Sequence, residues 1–504
     1  MRHLVVCCDG TWNTPDQEDE GIPSPTNVVR LHGALAELDS AGHAQLRYYH
    51  PGVGTDGNWW AKVKGGALGD GLDRNIVSAW RWLCWNFQDG DRIWLFGFSR
   101  GAYTVRSLGG LMSRCGLPDL GTLPEAQQWA LLEQLFKQVY RAQPAPAGWE
   151  AGHAFHKRPG EARVDFLGVW DTVGALGVPD NMAVANLLDD RRKFAFHDTT
   201  LSPLVLQARH AVALDERRSS FAPTLWTGTE LHPGVRQIWF PGVHSDVGGG
   251  YAETGLSDGA LHWMIEEARG QGLAFREGMA AQVRPDFQGI LHDSCGGVYK
   301  RLRSQPRSAP QLCDANRGGR LHDSVLSRLA NPPISQPHFH RQTSLAPEGT
   351  QVEVFATERW NETGLWLEGG VRYEFSAAGQ WVDGSASCGP EGRGGGTTLG
   401  YVLSGLQGRL ETLFRKASHN DKADFAGTRR VENAPWMALI GVVASGGNPT
   451  ADGTPAPHET FPIGKGAVHA PRSSGYLYCF ANDAWGFYKK NKGAVRLTVK
   501  RLSA

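Results

Sequence analysis

Through its first half the chain alternates apolar runs of strand length with longer amphipathic segments, the pattern of βαβ units around a mostly parallel sheet. Strands are predicted at 4–8, 45–50, 92–96, 164–169 and 237–241. Helices are predicted between them at 73–87, 101–115, 125–142, 202–215 and 257–270. In the first of these helices Ile76, Ala79, Trp80, Trp82, Leu83 and Trp85 form an apolar face broad enough to be buried against a sheet. From about 285 to 346 the pattern loosens into Gly, Pro, Ser and Arg, with Leu-His-Asp-Ser at Leu291 and again at Leu321. Two copies are too few for a repeat architecture. Beyond Ala346, short strands at 352–355, 371–375, 436–443, 475–480 and 495–499 are separated by Gly-rich turns, with one helical stretch at 401–417. The expectation is an α/β domain over 1–345 and a small β-sandwich over 346–504 with a helical insertion.

Size agrees with two domains, because 504 residues exceed what one hydrophobic core organises, and 41% hydrophobic with 20% charged residues excludes disorder of the whole. Lys plus Arg and Asp plus Glu balance at 51 each, which removes the global basic field of non-specific nucleic-acid binders, so no nucleic-acid partner is expected. The apolar start, 4–8, is too short for a signal peptide, and no apolar run approaches the roughly 18 residues of a membrane span. Synthesis in the cytoplasm and at most peripheral membrane contact are expected. Eight cysteines without a C-x-x-C pair read as reduced, buried thiols.

The strand at 92–96 runs directly into Gly97-Phe98-Ser99-Arg100-Gly101 and then a helix. Strand, G-x-S-x-G, helix is the context of a nucleophile elbow, in which the flanking glycines let the chain turn sharply and leave the hydroxyl above the sheet. This predicts an α/β-hydrolase with Ser99 as nucleophile. A serine hydroxyl needs a histidine to accept its proton and an acid to orient that histidine, and in this fold they follow in the order Ser, acid, His. Two downstream strands end in suitable residues: 164–169 leads to Asp171 and 237–241 leads to His244. Asp171 is therefore the expected acid, directly after the strand that follows the nucleophile strand, and His244 the expected base. Asp246 is the rival acid, but two residues from His244 it is better placed to brace the glycine loop.

The developing oxyanion needs two backbone donors. Arg100 supplies one, as the residue after the nucleophile, and Gly10 or Thr11, after the first strand, the other. Asp9 could bind a metal, but no second carboxylate or histidine stands at ligand spacing, so a metal-free site is expected. Gly52-Val53-Gly54-Thr55 lacks both G-x-G-x-x-G and the lysine of a P-loop and reads as a pocket wall. His292, His322, His338 and His340 lie in the loosely patterned region and receive no role. In the segment 180–202, Leu187, Leu188, Phe194 and Phe196 interleave with Arg191, Arg192 and Lys193, a mixture that suits a mobile lipid-facing cap and equally a helix packed on the core.

Cys8-Asp9-Gly10-Thr11-Trp12-Asn13, Gly97-Phe98-Ser99-Arg100-Gly101-Ala102-Tyr103, Gly168-Val169-Trp170-Asp171-Thr172-Val173-Gly174 and His244-Ser245-Asp246-Val247-Gly248-Gly249-Gly250-Tyr251 resemble the hydrolase family that includes the first class of type VI secretion lipase effectors. The likeness spans roughly residues 1–300, and Leu291-His292-Asp293-Ser294 is similar to a recurrent phrase of that family. The resemblance implies a triad of Ser99, Asp171 and His244 and phospholipase A activity on bacterial membrane glycerophospholipids. It also implies an immunity protein, a secretion-delivery partner, and passage from the bacterial cytoplasm, without a signal peptide, to the periplasm of a target cell. The same residues serve a small-ester or polyester hydrolase, and a glycan-binding or docking protein on a hydrolase scaffold is the reading from another class. The C-terminal region has a fainter resemblance, carried by Phe375 to Trp381, Cys388 to Gly392 and Phe480 to Gly493, to the calcium-dependent galactose-binding pseudomonad lectins. That likeness implies a glycan partner and a calcium site to which Asp483 and Asn491 match. Phe487 and Lys490 stand where oxygen ligands are expected, and an ammonium repels a divalent cation, which argues against calcium. No cofactor is expected for catalysis.

Overall fold

The computed structural model describes residues 1–10, 13–52, 68–121, 123–142, 144–174, 201–228, 232–296, 303–312, 319–336, 339–393, 429–448 and 456–503. The expected helix at 401–417, the proposed cap at 180–202 up to residue 200, Thr11 and most of the Gly52 to Thr55 turn lie outside them.

Six strands form the central sheet: β1 His3–Cys8, β2 Gln45–His50, β3 Arg92–Phe98, β4 Val164–Trp170, β5 Val205–Ala213 and β6 Val235–Phe240. Their order is β6-β5-β4-β3-β1-β2, and every neighbouring pair is parallel. Helices α1 Asn27–Ala34, α2 Leu68–Asn86, α3 Arg100–Cys115, α4 Glu125–Leu135, α5 His244–Gly248, α6 Gly255–Gly270 and α7 Asp323–Ala330 belong to the same domain. Strand β1 shows why its sequence is a continuous apolar run rather than an alternation. Leu4, Val6 and Cys8 enter a core with Ile76, Trp80 and Leu83 of α2 and Val105 and Leu108 of α3. Val5 and Cys7 enter a second core with Val28 and Leu31 of α1 and Leu261 and Met264 of α6. A parallel sheet covered on both faces needs both sets of side chains to be apolar.

Residues 202–215, expected as a helix, form β5 instead. Leu206, Gln207, Ala208, Arg209 and Ala211 are good helix formers, but all of the strand from Ala208 to Ala213 is buried between β4 and β6. Ladder hydrogen bonds on both edges and apolar contact on both faces override local propensity. A short, fully buried run carries no period that would separate strand from helix.

The C-terminal region is an antiparallel sandwich. One sheet comprises β7 Thr350–Phe355, β9 Tyr373–Asp383, β10 Ala386–Cys388, β13 Gly466–His469 and β15 Asn491–Arg501. The other comprises β8 Asn361–Leu367, β11 Leu439–Val443, β12 Glu459–Pro462 and β14 Gly475–Ala481. Their inner faces share Val352, Leu365, Phe375, Trp381, Leu439, Leu477, Cys479 and Leu497. The outer face of the second sheet is apolar as well: Ile440, Val442, Tyr476, Tyr478 and Phe480 pack on Val212, Leu214, Trp239, Leu312, Leu321 and Val325 of the first domain. A buried charged group crosses the same seam. His340 meets Asp215, just beyond β5, at 2.7 Å through Nε2, and Glu362 of β8 at 2.8 Å through Nδ1. Burial alone would lower this histidine's pKa, but the two carboxylates overcome it and push it up to about 10. Among the described residues no helix is long and apolar enough to cross a membrane.

Candidate active site

Strand β3 ends in the elbow. Ser99 stands between β3 and α3 at φ 56° and ψ −119°, a backbone conformation that L side chains rarely adopt. The surroundings hold it there. Its N–H donates to the Trp170 carbonyl at 3.1 Å, and its carbonyl accepts from Tyr103 N–H at 3.3 Å. The glycines of the motif are fixed by contact: a Cβ on Gly97 would sit 2.5 Å from the Gly101 carbonyl oxygen, and one on Gly101 would sit 2.1 Å from that of Cys8. Helix α3 can start this close to β1 only without those side chains.

Asp171 follows β4, itself at φ 35°, and is fully buried. Its N–H donates to Ala211 at 2.8 Å, and its Oδ1 accepts the Ala213 N–H at 2.9 Å, so the end of β5 holds the acid. His244 opens α5 after a turn at Gly242, where φ is 115° and a Cβ would lie 2.3 Å from that of Asp246. Nδ1 of His244 lies 2.6 Å from Asp171 Oδ2. A carboxylate only accepts, so Nδ1 carries the proton and Nε2 of the neutral ring holds the lone pair. The ring is packed between Phe98, with centroids 4.6 Å apart, and Phe221, edge-on at 4.9 Å. Burial lowers the His244 pKa, with the Asp171 hydrogen bond and charge working the other way. Burial also works to raise the Asp171 pKa, but the Arg307 charge and hydrogen bonds from His244 and Arg307 hold it well below the usual carboxylate range. Both shifts favour a neutral imidazole beside an ionised carboxylate. No hydrogen bond joins the Ser99 hydroxyl to His244 among the described residues; Phe98 is what brings the elbow against the ring.

Two of the expected oxyanion donors lie at the elbow. Arg100 is the first residue of α3, directly after Ser99. Gly10 lies against the elbow, a Cβ there falling 3.1 Å from that of Ser99. Its N–H donates to the carboxylate of the preceding residue, Asp9 Oδ1, at 2.7 Å. Asp9 also accepts from Thr26 Oγ1 at 2.6 Å, Tyr49 Oη at 3.0 Å and Asn13 Nδ2 at 3.4 Å. Burial pushes its carboxyl up to about 6 against these donors. They are neutral groups of the protein, and no cluster of three or more His, Cys, Asp or Glu able to hold a metal ion occurs among the described residues.

Two arrangements escaped the sequence pattern. Arg307 forks onto Asp171, one terminal nitrogen 2.6 Å from Oδ1 and the other 2.9 Å from Oδ2. Nothing in the Arg-Ser-Gln-Pro-Arg-Ser stretch signals it. Asp246 pairs with His292, Nδ1 to Oδ1 at 2.6 Å, and accepts the Val243 N–H at 3.0 Å and the His292 N–H at 3.1 Å. Ser294 Oγ donates to Glu216 at 2.8 Å, and Glu216 in turn accepts the His244 N–H at 3.3 Å. The first Leu-His-Asp-Ser thus buttresses the base. In the second copy His322 caps α7, its Nδ1 accepting from the Ser324 N–H at 3.2 Å. In the sandwich, Asp483 accepts from Ala484 N–H at 2.7 Å and Asn491 Nδ2 at 2.9 Å. With Lys490 packed over the Phe487 ring at 5.6 Å, this loop does not fit a calcium site.

A six-stranded parallel sheet with an elbow serine and a histidine–acid pair at its strand ends defines an α/β-hydrolase. The family model described as "T6SS, Phospholipase effector Tle1-like, catalytic domain" matches residues 2–267, more than half of the chain, and the chain belongs to that family. An uncharacterised protein of Saccharomyces cerevisiae is 31% identical over 258 residues, 47% of this chain and 35% of that protein, so the chain covers only about a third of that relative. Three solved structures are similar at lower identity. A Pseudomonas aeruginosa protein of unknown function is 20% identical over 57% of this chain and 49% of that one, with a TM-score of 0.34. The Tle1 effector bound to the VgrG spike of a type VI secretion system is 19% identical over 50% of this chain and 51% of that one, with a TM-score of 0.30. The EclA N-terminal domain, a PllA-like lectin, is 20% identical over 30% of this chain and 95% of that one, with a TM-score of 0.19.

Proposed function

We propose that the protein hydrolyses carboxylic esters of lipids as a phospholipase A-type antibacterial effector. The observation that carries this reading is the strained elbow serine beside a buried histidine–carboxylate pair, in a chain of the phospholipase effector family. Ser99 Oγ attacks the acyl carbonyl carbon and its proton passes to His244 Nε2, while Asp171 orients the ring and stabilises the imidazolium. The amide of Arg100 and a second donor from the loop after β1 hold the oxyanion. Collapse expels the lysolipid alcohol, which takes the proton back, and water repeats the sequence to release the fatty acid. In line with the family's description, delivery by type VI secretion to the periplasm of a target cell, a delivery partner and an immunity protein belong to the same proposal.

The test is twofold. A fluorophosphonate probe should label the wild type and not Ser99→Ala, and fatty-acid release from phosphatidylethanolamine and phosphatidylglycerol vesicles should vanish in Ser99→Ala and His244→Ala. Retained release in either variant would sink the assignment. Release from short soluble esters with none from vesicles would replace the lipid substrate by a small ester.

A further inference from the structure

Arg307 places four of its five N–H groups. One terminal nitrogen donates to Asp171 Oδ1 and to the Ala213 carbonyl, each at 2.6 Å. The other donates to Asp171 Oδ2 at 2.9 Å and to the Phe221 carbonyl at 2.7 Å. One guanidinium therefore grips both oxygens of the acid, the end of β5 and the residue whose ring packs edge-on against His244. Fork-to-fork pairing fixes the plane of a carboxylate as a single ammonium cannot. The fifth N–H, on Nε, is buried without a partner.

The segment carrying Arg307 is held from the other domain. Trp360 Nε1 donates to the Ser304 carbonyl at 3.0 Å, His458 Nε2 donates to the Pro306 carbonyl at 2.7 Å, and the Ser308 hydroxyl donates to the Gly446 carbonyl. His458 Nδ1 also accepts the Gly446 N–H at 2.9 Å, so one imidazole ties the segment to the strand connection that supports Ser308. These anchors are sandwich residues, and the first domain adds its own: the Gln305 N–H donates to the Arg217 carbonyl at 2.7 Å and Ser304 bridges Arg218.

We propose that Arg307 is a positioning residue of the active site, that it fixes Asp171 as an immobile, ionised acid, and that the sandwich holds it in place, so that the two domains form one catalytic unit. This rests on the hydrolase reading above and assigns the second domain a part in it. The charged groups that face His244 are Asp171 at the end of β4 and Glu216 and Arg218 after β5, with Arg307 behind Asp171; Phe98 and Phe221 cover the ring faces. Without Arg307 the acid becomes an unbalanced negative charge beside the ring. Imidazolium is then favoured, and less of the base is neutral at a given pH.

The experiment measures kcat and KM of the full chain on a soluble p-nitrophenyl ester between about pH 5 and 9, the range in which a histidine base titrates. Arg307→Gln should lower kcat on the order of tenfold to a hundredfold, a typical effect of losing a group that orients a functional one. KM should hold, and the acid limb of kcat/KM should move to higher pH. Arg307→Lys restores the charge without the fork, so the limb should return while kcat recovers only in part. Ser308→Ala with His458→Ala, which touches neither Asp171 nor His244, should move both readouts in the same direction by less. A folded Arg307→Gln with unchanged kcat and limb overturns the proposal, as does a loss of kcat with no limb movement and no rescue by lysine. Should Arg307→Gln not fold, unchanged kcat and limb in the Ser308/His458 double variant overturns it. Ser99→Ala, assayed alongside, separates this outcome from failure of the hydrolase reading, which alone predicts total loss there.

Discussion

Two Asp–His pairs occupy the same end of the sheet with the same 2.6 Å contact to Nδ1, and they differ in what surrounds them. In Asp171–His244 the acid is balanced by Arg307 and the ring lies between two phenylalanines, so burial prevails and the imidazole is kept neutral. In Asp246–His292 no arginine or lysine forks onto the acid among the described residues, and the ring's second nitrogen meets Glu253 at 3.3 Å. There burial still opposes the charge, but the Asp246 hydrogen bond and charge, with Glu253, raise the pKa. Tyr251 stacks on that ring at 3.8 Å and completes a clamp. A carboxylate at Nδ1 therefore does not make a base. What faces the acid and what faces the second nitrogen decide whether the ring is held neutral or charged.

The largest expected effect separates the pairs directly. His244→Ala should cost about 10⁶ in kcat, as loss of the base of a serine triad does, whereas His292→Ala should cost less than about tenfold. Equal losses on one ester substrate would erase the distinction. Next is stability: Arg307→Met leaves the buried Asp171 carboxylate without its cation, and chemical denaturation should register a loss of about 3–5 kcal/mol. The half-exposed Glu253 partner of His292 is worth far less, so Glu253→Gln should cost under about 1 kcal/mol while lowering the His292 titration midpoint seen by NMR.

The pH dependence carries opposite signs at the two ends of the scale. Asp171 has a depressed folded pKa, so its contribution is present above the ordinary aspartate value of 3.8 and is lost as pH falls below it. His340 has a raised one, so its contribution is complete below the ordinary 6.5 and is lost as pH rises through about 10. Melting temperature should accordingly decline toward alkaline pH in the wild type and less in His340→Gln. The smallest effect is a null one. Chelator should leave both the melting temperature and ester hydrolysis unchanged, and a fall in either would restore a metal to the account.

The parts of this architecture that could be read from sequence are those in which a local pattern meets a local need. Residues 45–50 form a strand as expected, and 101–115 lie in the helix Arg100–Cys115. Ser99, Asp171 and His244 stood out because each lies just beyond a strand. Residues 208–213 of β5 are buried throughout, so that stretch offers no alternation of burial to separate strand from helix. Gly10 was found by position, but nothing in the sequence says that the neighbouring Asp9 takes its N–H. Arg307 lies far along the chain from Asp171, in a stretch without period, and only the folded seam brings them together.

The outer face of the second sandwich sheet has a consequence for how this architecture can be inherited. A binding module that travels between proteins keeps its exposed faces polar, so that it stays soluble beside any neighbour. Here Ile440, Val442, Tyr476, Tyr478 and Phe480 line a face that is dry only while the hydrolase covers it. Transplanted onto another enzyme, the sandwich would bring an adhesive surface with it, and the donor would lose the cover of Trp239 and Leu312. Lineages are expected to keep the two halves together or to change both sides of the seam at once.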